Sequence, residues 1–377
     1  MNFFLKKPLK SDILVFDELN YQYLKKVIPS RYSVTIIKQR PQEIFISIKI
    51  LKKLIFIFLK RFSLKRSIKK GLRESYYESL ILTLYPKAVV TLIDNNQIFN
   101  YLSKTIKTIP FVAIQNGLRH PFEGSSGTFH VQHYFSFGEN EKKHFPKYKM
   151  EVENYYPAGS LLNSIFSSNN TEDKNFDILI VSCWRGNIGY NKEVKDSMNS
   201  MLTFDNLLSK YISKRNLKVA VILRSEREGE HWYIPEIMMN EEQYFKNIYQ
   251  ENIKIIDFDP KNMNIYDLIR KSELILASFG TTTLLEAYGN GKKILYSIFC
   301  DDKVYHEIFD DSIVFTNSES KYFEDKLDEI ISIDKNEYYR QHNKNMEYYM
   351  SKSTLETINF IKTKIKEIIS NHYRSIK

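Results

Sequence analysis

Short apolar runs alternate with longer amphipathic segments along most of the 377-residue chain. The runs near residues 88–93, 111–115 and 176–181 have the length of buried β-strands, and the stretches between such runs have helical spacing. Strands that alternate with helices form right-handed βαβ units with parallel sheets. The pattern therefore predicts an α/β protein.

A polar segment at residues 167–175, with the sequence SSNNTEDKN, interrupts this alternation. Loop-forming residues dominate it, and a second series of strands and helices follows. We therefore predict two Rossmann-like domains that face a cleft, with a helical C-terminal tail. The predicted boundaries are residues 1–166 for the first domain, 167–175 for the linker, 176–330 for the second domain and 331–377 for the tail.

Some individual elements of the first domain are also predicted. The apolar spacing indicates helices at residues 18–27 and 44–62, and a further strand near residues 134–137. Since ligands of such folds bind at the carboxyl ends of the strands, functional residues are expected on the loops that follow strands.

The composition predicts a globular protein of the cytoplasm. Hydrophobic residues make up 43% of the chain and charged residues 27%, which excludes disordered and collagen-like classes. Two cysteines, Cys183 and Cys300, are too few for a disulfide scaffold. Neither a secretory signal nor an apolar stretch of about 18 residues is present, so we expect no secretion by that route and no membrane span.

The net charge of +10 is concentrated in one segment. Between Glu43 and Glu74 there is no acidic residue, but there are ten lysines and arginines. Because ten equals the net charge, the rest of the chain is formally neutral. This distribution differs from that of a nucleic-acid-binding protein, and no nucleic acid is expected as a partner.

The basic segment allows two interpretations. On a helix its lysines would form one stripe beside a wide apolar arc, which is typical of a helix in a membrane interface. The alternative is a core helix packed on the sheet, with its lysines in water, and both can hold for different faces. The residues predicted to dock on an anionic membrane are Lys49, Lys52, Lys53, Lys60, Arg61, Lys65 and Arg66.

In the second half, a turn at 278–283, whose residues are small except for Phe279, follows a predicted strand and opens a helix. Backbone N–H groups and the positive helix N-terminus would favour a phosphate there, and Glu286 one turn later could accept ribose hydroxyls. The alternative is an ordinary helix cap formed by Thr281 or Thr282. Arg224 closes another strand and suits a diphosphate, or is a surface arginine in a charged loop.

In the first half, polar clusters follow two predicted strands. Asp94 and Asn95 follow one strand, and the sequence Gln115-Asn116-Gly117-Leu118-Arg119-His120 follows the next. Asn-Gly is also a common turn, so the second cluster has a purely conformational alternative. Asp94 or His120 could act as a base that removes a hydroxyl proton.

Segments of the second half resemble the carboxy-terminal domain of GT-B glycosyltransferases. The resemblance runs through residues 217–224, 264–280 and 281–293, although Lys293 stands where the family usually has proline. Segments 90–96, 114–119 and 157–161 resemble bacterial proteins of surface-carbohydrate biosynthesis. The resemblance implies that residues 278–283 hold the donor phosphates and that Glu286 holds the ribose.

The chain is therefore expected to be a cytoplasmic glycosyltransferase, peripheral at the inner face of the plasma membrane. It would move a sugar from a nucleotide-sugar donor to a glycan or lipid-linked glycan of a capsule, O-antigen or lipooligosaccharide. The residues predicted to bind the donor are Arg185, Arg224, Ser278, Gly280, Thr281, Thr282, Thr283 and Glu286. Those predicted to bind the acceptor are Asn95, Gln115, Asn116, Gly117 and Arg119.

Neither a metal nor another cofactor is expected. The eight histidines show no ligand spacing. Asp257-Phe258-Asp259 matches the DxD triplet of metal-dependent sugar transferases, but we interpret it as a polar loop. The alternatives to a glycosyltransferase are a CDP-polyol phosphotransferase, a nucleotide-sugar 2-epimerase, a non-catalytic assembly factor and a basic nucleic-acid-binding module.

Overall fold

A computed structural model gives the three-dimensional structure. It describes residues 2–5, 8–39, 43–61, 68–119, 129–166, 174–184, 192–224, 240–259, 261–262, 264–300, 309, 313–341, 346–351 and 354–376. The chain divides into two compact units. The first is Met1–Ile165 together with Leu355–Lys377, and the second is Phe166–Thr354.

The first unit is built on parallel β-structure. Its strands are β1 (Asn2–Phe4), β2 (Ile13–Phe16), β3 (Val34–Ile37), β4 (Glu43–Phe45), β5 (Ala88–Thr91), β6 (Phe111–Ile114), β7 (His130–Ser136) and β8 (Glu151–Pro157). Six of them form a parallel sheet in the order β3-β2-β5-β6-β7-β8, and β1 pairs with β4 separately. The strands β2, β5 and β6 are buried throughout, as expected of parallel strands covered on both faces.

Helices connect these strands. They are α1 (Tyr21–Leu24), α2 (Ile48–Arg61), α3 (Ile68–Leu84), α4 (Gln97–Thr105), α5 (Asn140–His144), a 3₁₀ helix (Phe145–Tyr148) and α6 (Leu161–Phe166). Asn96 begins α4, because its side chain accepts the backbone N–H groups of Ile98 and Phe99. The core between helices and sheet is aromatic: Phe99 packs against both Phe16 and Phe111.

The second unit is also a six-stranded parallel sheet. Its strands are β9 (Phe176–Val181), β10 (Val219–Ile222), β11 (Lys254–Ile256), β12 (Ser272–Ala277), β13 (Lys293–Ser297) and β14 (Val314–Phe315). Their order is β11-β10-β9-β12-β13-β14, so the direction of winding reverses between β9 and β12. This order is that of dinucleotide-binding Rossmann folds, which bind ligands at the carboxyl ends of the two strands at the reversal.

The helices of the second unit follow the same alternation. They are α7 (Lys192–Ser213), α8 (Glu241–Tyr249), α9 (Ile265–Arg270), α10 (Thr282–Gly289), α11 (Ser320–Ser332), α12 (Lys335–Arg340) and α13 (Met346–Tyr349). A capping box between Asn240 and Gln243 fixes the start of α8. Asp334 caps α12 through the N–H groups of Asn336 and Glu337.

The last helix, α14 (Leu355–Ile376), belongs to the first unit. The ring of Phe360 packs edge-on against Phe135 of β7, at 6.3 Å between centroids. His372 Nε2 lies 3.0 Å from the carbonyl oxygen of Thr108. The chain therefore returns to its first unit after completing the second.

The predicted alternation of strands and helices is confirmed in both units, but some elements differ. The helix predicted at residues 18–27 is only the four residues of α1, and the one predicted at 44–62 begins at Ile48 because residues 43–45 form β4. The strand predicted at 134–137 is the longer β7. In the part of the chain that the structure describes, no helix combines the length and the apolar character needed to span a bilayer.

Candidate functional site

In the first unit, Asp94 lies just beyond the end of β5, and its side chain is fully buried. The hydroxyl of Tyr134 donates a hydrogen bond of 2.7 Å to its Oδ2. Arg119 Nε lies 3.0 Å from the same oxygen, and the backbone N–H of Asn116 donates to Oδ1 over 3.4 Å. The polar clusters that follow β5 and β6 therefore meet at the Asp94 carboxylate. Whether Asp94 acts as a base stays a prediction.

Arg119 organises the loop that follows β6. Its Nη2 donates to the side-chain oxygen of Asn116 at 2.7 Å, and its Nε also donates to the carbonyl of Gly117 at 3.1 Å. Because the guanidinium is buried and paired with Asp94, these contacts fix the loop against the end of β5. The neighbouring Asn95 side chain is exposed.

Gln115 links this loop to the next strand. Its amide Nε2 donates to Glu141 Oε1 at 3.0 Å and to the Gly117 carbonyl at 3.1 Å, while its oxygen accepts the Phe137 N–H. Glu141 Oε2 accepts the N–H of Gly138. Burial raises the pKa of Glu141 to about 7. The amide of Gln115 is therefore engaged in holding the ends of β6 and β7 together.

In the second unit, Arg224 follows β10 and is exposed. Its Nη1 donates to the carbonyl of Trp184 over 2.9 Å, and its backbone N–H donates to Glu241 Oε1 over 2.9 Å. The same buried carboxylate accepts the hydroxyl of Ser182, at the end of β9. Arg224 therefore ties the end of β10 to the segment that follows β9 and to the start of α8.

The turn of small residues lies at the reversal point of this sheet. Ser278 directly follows β12 and is buried, and its carbonyl accepts the hydroxyl of Ser200 at 2.7 Å. Thr281 caps α10, since its side chain accepts the N–H of Thr283. The Thr281 carbonyl accepts the Tyr296 hydroxyl at 2.8 Å. The helix cap considered above is therefore present. Anion binding at this turn remains a prediction, with Gly280, Thr281, Thr282 and Thr283 half-buried around the helix start.

Glu286 lies one turn into α10 and is buried. Its Oε1 accepts the hydroxyl of Tyr266 at 3.1 Å, and the ring of Tyr266 stacks on Phe166 at 5.5 Å. The stacked ring positions the Tyr266 hydroxyl, which engages one oxygen of the Glu286 carboxylate. A ribose would have to approach the same carboxylate beside that bond.

The local structure explains why glycine stands at the two positions after Glu286, 289 and 291. A Cβ on Gly289 would lie 2.4 Å from Cγ of Met350, and Gly291 has a φ of 72°, which favours glycine. Lys293, at the position of the expected proline, is buried in β13 with its ammonium 3.4 Å from Glu273 Oε1. This part of the motif shapes the end of α10.

The Asp257-Phe258-Asp259 triplet lies in a loop after β11. Asp259 Oδ1 accepts the N–H groups of Lys261 and Asn262, and its Oδ2 accepts the Asn262 amide at 2.7 Å. These bonds lower the pKa of Asp259. The carboxylate thus closes its own turn, in agreement with the interpretation as a polar loop.

The basic segment falls on α2 and the start of α3. Lys49, Lys52 and Lys60 are exposed. Lys53 is also exposed, but its ammonium donates to the carbonyl of Leu82 in α3 at 2.7 Å. For Arg61 the structure describes only the backbone, as the last residue of α2. The remaining predicted positions His120, Arg185, Lys65 and Arg66 lie outside the described residues.

Several partners of the predicted residues could not be identified from sequence. Tyr134 and Glu141 contact the loops from a neighbouring strand and helix, and Tyr266 reaches Glu286 from α9. The position of Glu241 at the start of a helix, directly after Asn240, is visible in the sequence. Its bonds to Ser182 after β9 and to Arg224 after β10 are not, because they depend on the order of the strands in the sheet.

No protein-family model matches the chain, and no curated protein matches it. Several solved structures, in contrast, match the chain. A UDP-N-acetylglucosamine 2-epimerase from Rickettsia bellii is 11% identical, with 97% of each chain covered and a TM-score of 0.51. A glycosyltransferase from Rickettsia africae is 15% identical, with 96% of this chain and 98% of that chain covered and a TM-score of 0.50.

A UDP-glucosyltransferase from Polygonum tinctorium is 9% identical, with 97% of this chain and 100% of that chain covered and a TM-score of 0.50. At such low identities the likeness concerns the fold alone. It confirms the predicted fold class, two Rossmann-like parallel α/β units of the GT-B type.

Proposed function

We propose that the protein is a glycosyltransferase that takes a sugar from a nucleotide-sugar donor. The observation that carries the proposal is the reversal point of the second sheet. The small-residue turn at 278–283 begins α10 there, and Arg224 is held by Trp184 at the end of the adjacent strand. Solved structures of the same fold, named as glycosyltransferases, support this proposal.

The donor diphosphate would lie against the N-terminus of α10. Backbone N–H groups and the helix dipole stabilise an anion at such a position. The Arg224 guanidinium would neutralise the charge that develops on the leaving nucleoside diphosphate. These two groups supply positive charge without a metal ion, so we expect activity to survive a chelator.

The acceptor would meet the loops at the carboxyl edge of the first sheet. Arg119, Asn116 and Asp94 form a preorganised polar group there. Asp94 and His120 are the candidate bases. Since Asp94 is already engaged by Arg119 and Tyr134, it would have to exchange one of these contacts for the acceptor hydroxyl. The proposed acceptor is a bacterial surface glycan, free or lipid-linked.

A nucleotide-sugar 2-epimerase is the second candidate. It is favoured by one observation, the full-length match of the fold to the Rickettsia bellii epimerase. An epimerase acts on the sugar nucleotide alone, whereas a transferase needs an acceptor. The two are therefore separable by one incubation without acceptor.

The test is incubation of the full chain with UDP-, CDP-, GDP- and dTDP-sugars and with CDP-polyols, with and without bacterial lipid extract, followed by mass spectrometry. A transferase releases nucleoside diphosphate and adds one hexose mass to an acceptor. A changed sugar without acceptor would establish epimerisation. An added phosphodiester would establish polyol-phosphate transfer, and no product in any reaction would contradict both candidates.

A further inference from the structure

The helix α2 has two apolar faces on opposite sides. Ile50 and Ile57 are buried in the first unit, and Leu54 packs against its core. Successive residues turn by about 100° around the helix axis, so a second apolar set faces away from that core. Its members are between 42% and 73% exposed: Ile48, Leu51, Ile55, Phe56 and Leu59. A helix that only covered the sheet would have polar residues there.

Cations lie among these exposed apolar side chains. Lys52 falls between Ile48 and Phe56 around the helix, and Lys49 and Lys60 follow on one side. All three ammonium-bearing side chains are exposed. Lys53 points to the carbonyl of Leu82, so it holds α2 on α3. The segment carries no acidic side chain to neutralise them.

The start of α3 repeats this composition. Ile68 and Leu72 are 63% and 46% exposed, and Lys69, Lys70 and Arg73 are exposed beside them. Arg73 Nη2 lies 3.4 Å from Oε1 of Gln39, which follows β3. The other end of α3 leads into the start of β5. The first turns of α3 therefore lie at the carboxyl edge of the sheet, the edge that carries Asp94 and the loop after β6.

We propose that α2 and the start of α3 form a docking surface for an anionic lipid bilayer. The docking surface consists of Ile48, Lys49, Leu51, Lys52, Ile55, Phe56, Leu59, Lys60, Ile68, Lys69, Lys70 and Leu72. Its apolar side chains enter the headgroup boundary, and its lysines contact lipid phosphates. Each lysine near an anionic leaflet adds binding free energy, so charge and insertion act together.

The charge of the surface identifies the occupant. A second copy of the chain would bring lysines against lysines, which disfavours a symmetric contact. An anionic leaflet offers both a hydrocarbon phase and a field of negative charge. The exposed isoleucine, leucine and phenylalanine side chains match the hydrocarbon phase, and the exposed lysines between them match the negative charge.

The position of the surface specifies the substrate class, and this step rests on the proposed function. A membrane held against the first turns of α3 lies at the same sheet edge as Asp94 and Arg119. Those loops would then meet an acceptor anchored in the bilayer. The proposed acceptor is accordingly a lipid-linked glycan rather than a soluble sugar.

The test is co-sedimentation of the full chain with vesicles of phosphatidylcholine alone or mixed with phosphatidylglycerol. Wild type should bind the mixed vesicles and lose this binding at high salt. Lys52→Gln with Lys60→Gln should lower the partition coefficient roughly 30-fold, given the known contribution of a basic residue. Ile55→Ser with Leu59→Ser should lower it about tenfold or more.

Matched controls remove equal charge or apolar surface elsewhere. Lys147→Gln with Lys321→Gln, and Tyr322→Ser with Leu355→Ser, change exposed residues outside the docking surface and should bind like wild type. Thermal shift with nucleoside diphosphates should be the same in all variants, which separates this surface from the donor site. Equal binding of wild type to both vesicle types would overturn the proposal, as would a dimer in solution that the Ile55 and Leu59 substitutions dissolve.

Discussion

Arg119 Nε and Asp94 Oδ2 lie 3.0 Å apart, and both side chains are buried. The pair joins a loop after β6 to the end of β5, so the two polar clusters of the first unit are one structure. Tyr134 donates to the same carboxylate oxygen from β7. The candidate acceptor loop is therefore preorganised by an ion pair that no local sequence pattern contains.

Arg119→Met is expected to destabilise the protein by about 3 kcal/mol, because it leaves the Asp94 carboxylate buried without its cation. Asp94→Ala should cost a similar amount, and the double variant should cost clearly less than the sum. Urea unfolding of all four proteins measures this. The exposed pair Lys104–Glu151, at 2.8 Å, is the control and should show a coupling below about 1 kcal/mol. Additive losses at Asp94 and Arg119 would show that the pair is not coupled.

Asp205 should make stability pH-dependent. Burial raises its folded-state pKa to about 7, while two hydroxyls, of Tyr249 and Tyr244, donate to it. The folded state thus binds a proton more tightly than the unfolded state. Between pH 4 and 7 this group should therefore lower the free energy of unfolding as pH rises, by up to about 1.4 kcal/mol per pH unit. Asp205→Asn should flatten the dependence of stability on pH in that window, because an amide does not titrate. The variant can still fold, since a tyrosine hydroxyl can also accept a hydrogen bond from the amide.

Asp328 provides the matched control for this measurement. It too accepts a tyrosine hydroxyl, from Tyr211, but it is half exposed and its pKa is lowered by that bond. Its stabilising contribution to the free energy of unfolding should be present above pH 4 and lost as the pH falls further. Asp328→Asn should leave the slope between pH 5 and 7 unchanged. An unchanged slope in Asp205→Asn as well would refute the assignment.

Glu286 is predicted to hold the ribose. Glu286→Gln should weaken binding of UDP, or of whichever nucleoside diphosphate binds, by roughly 10- to 100-fold, the range for one charged hydrogen bond. The same substitution should have little effect on the 2′,3′-dideoxy analogue, which lacks the hydroxyls. Calorimetric titration of both ligands gives the two ratios. Equal losses for both ligands would mean that Glu286 acts only through the fold, by its bond to Tyr266.

The sequence predicted the strands that are buried on both faces, because an unbroken apolar run identifies such a strand without knowledge of its neighbours in the sheet. The runs that became β9 and β12 are buried on both faces, so their apolar continuity identified them. The strand β8 has the sequence EVENYYP and lies at the sheet edge, where each of its residues is half-buried or exposed and neither an unbroken apolar run nor clean alternation is required. The short β4 exists because residues 2–4 pair with it, about forty positions earlier in the chain.

The sequence predicted where the candidate site residues lie but not which side chains contact each other. Asp94, the loop after β6, Arg224 and residues 278–283 all follow strands, and parallel sheets gather such residues at one edge. Which side chains then pair depends on the order of the strands. Trp184 meets Arg224 because β9 and β10 are neighbours, although forty residues separate them along the chain.

The central claim is that the carboxyl edge of the second sheet binds a nucleoside diphosphate through Arg224 and the start of α10. Thermal unfolding of the full chain with UDP, CDP, GDP and dTDP, and with their sugar conjugates, tests it most directly. A ligand at 100 times its Kd adds about 2.7 kcal/mol of stability. We predict that at least one nucleotide raises the Tm, that Arg224→Met abolishes most of this rise, and that Arg340→Met, an exposed arginine of α12, retains it. No shift with any nucleotide, or an undiminished shift in Arg224→Met, would contradict the account.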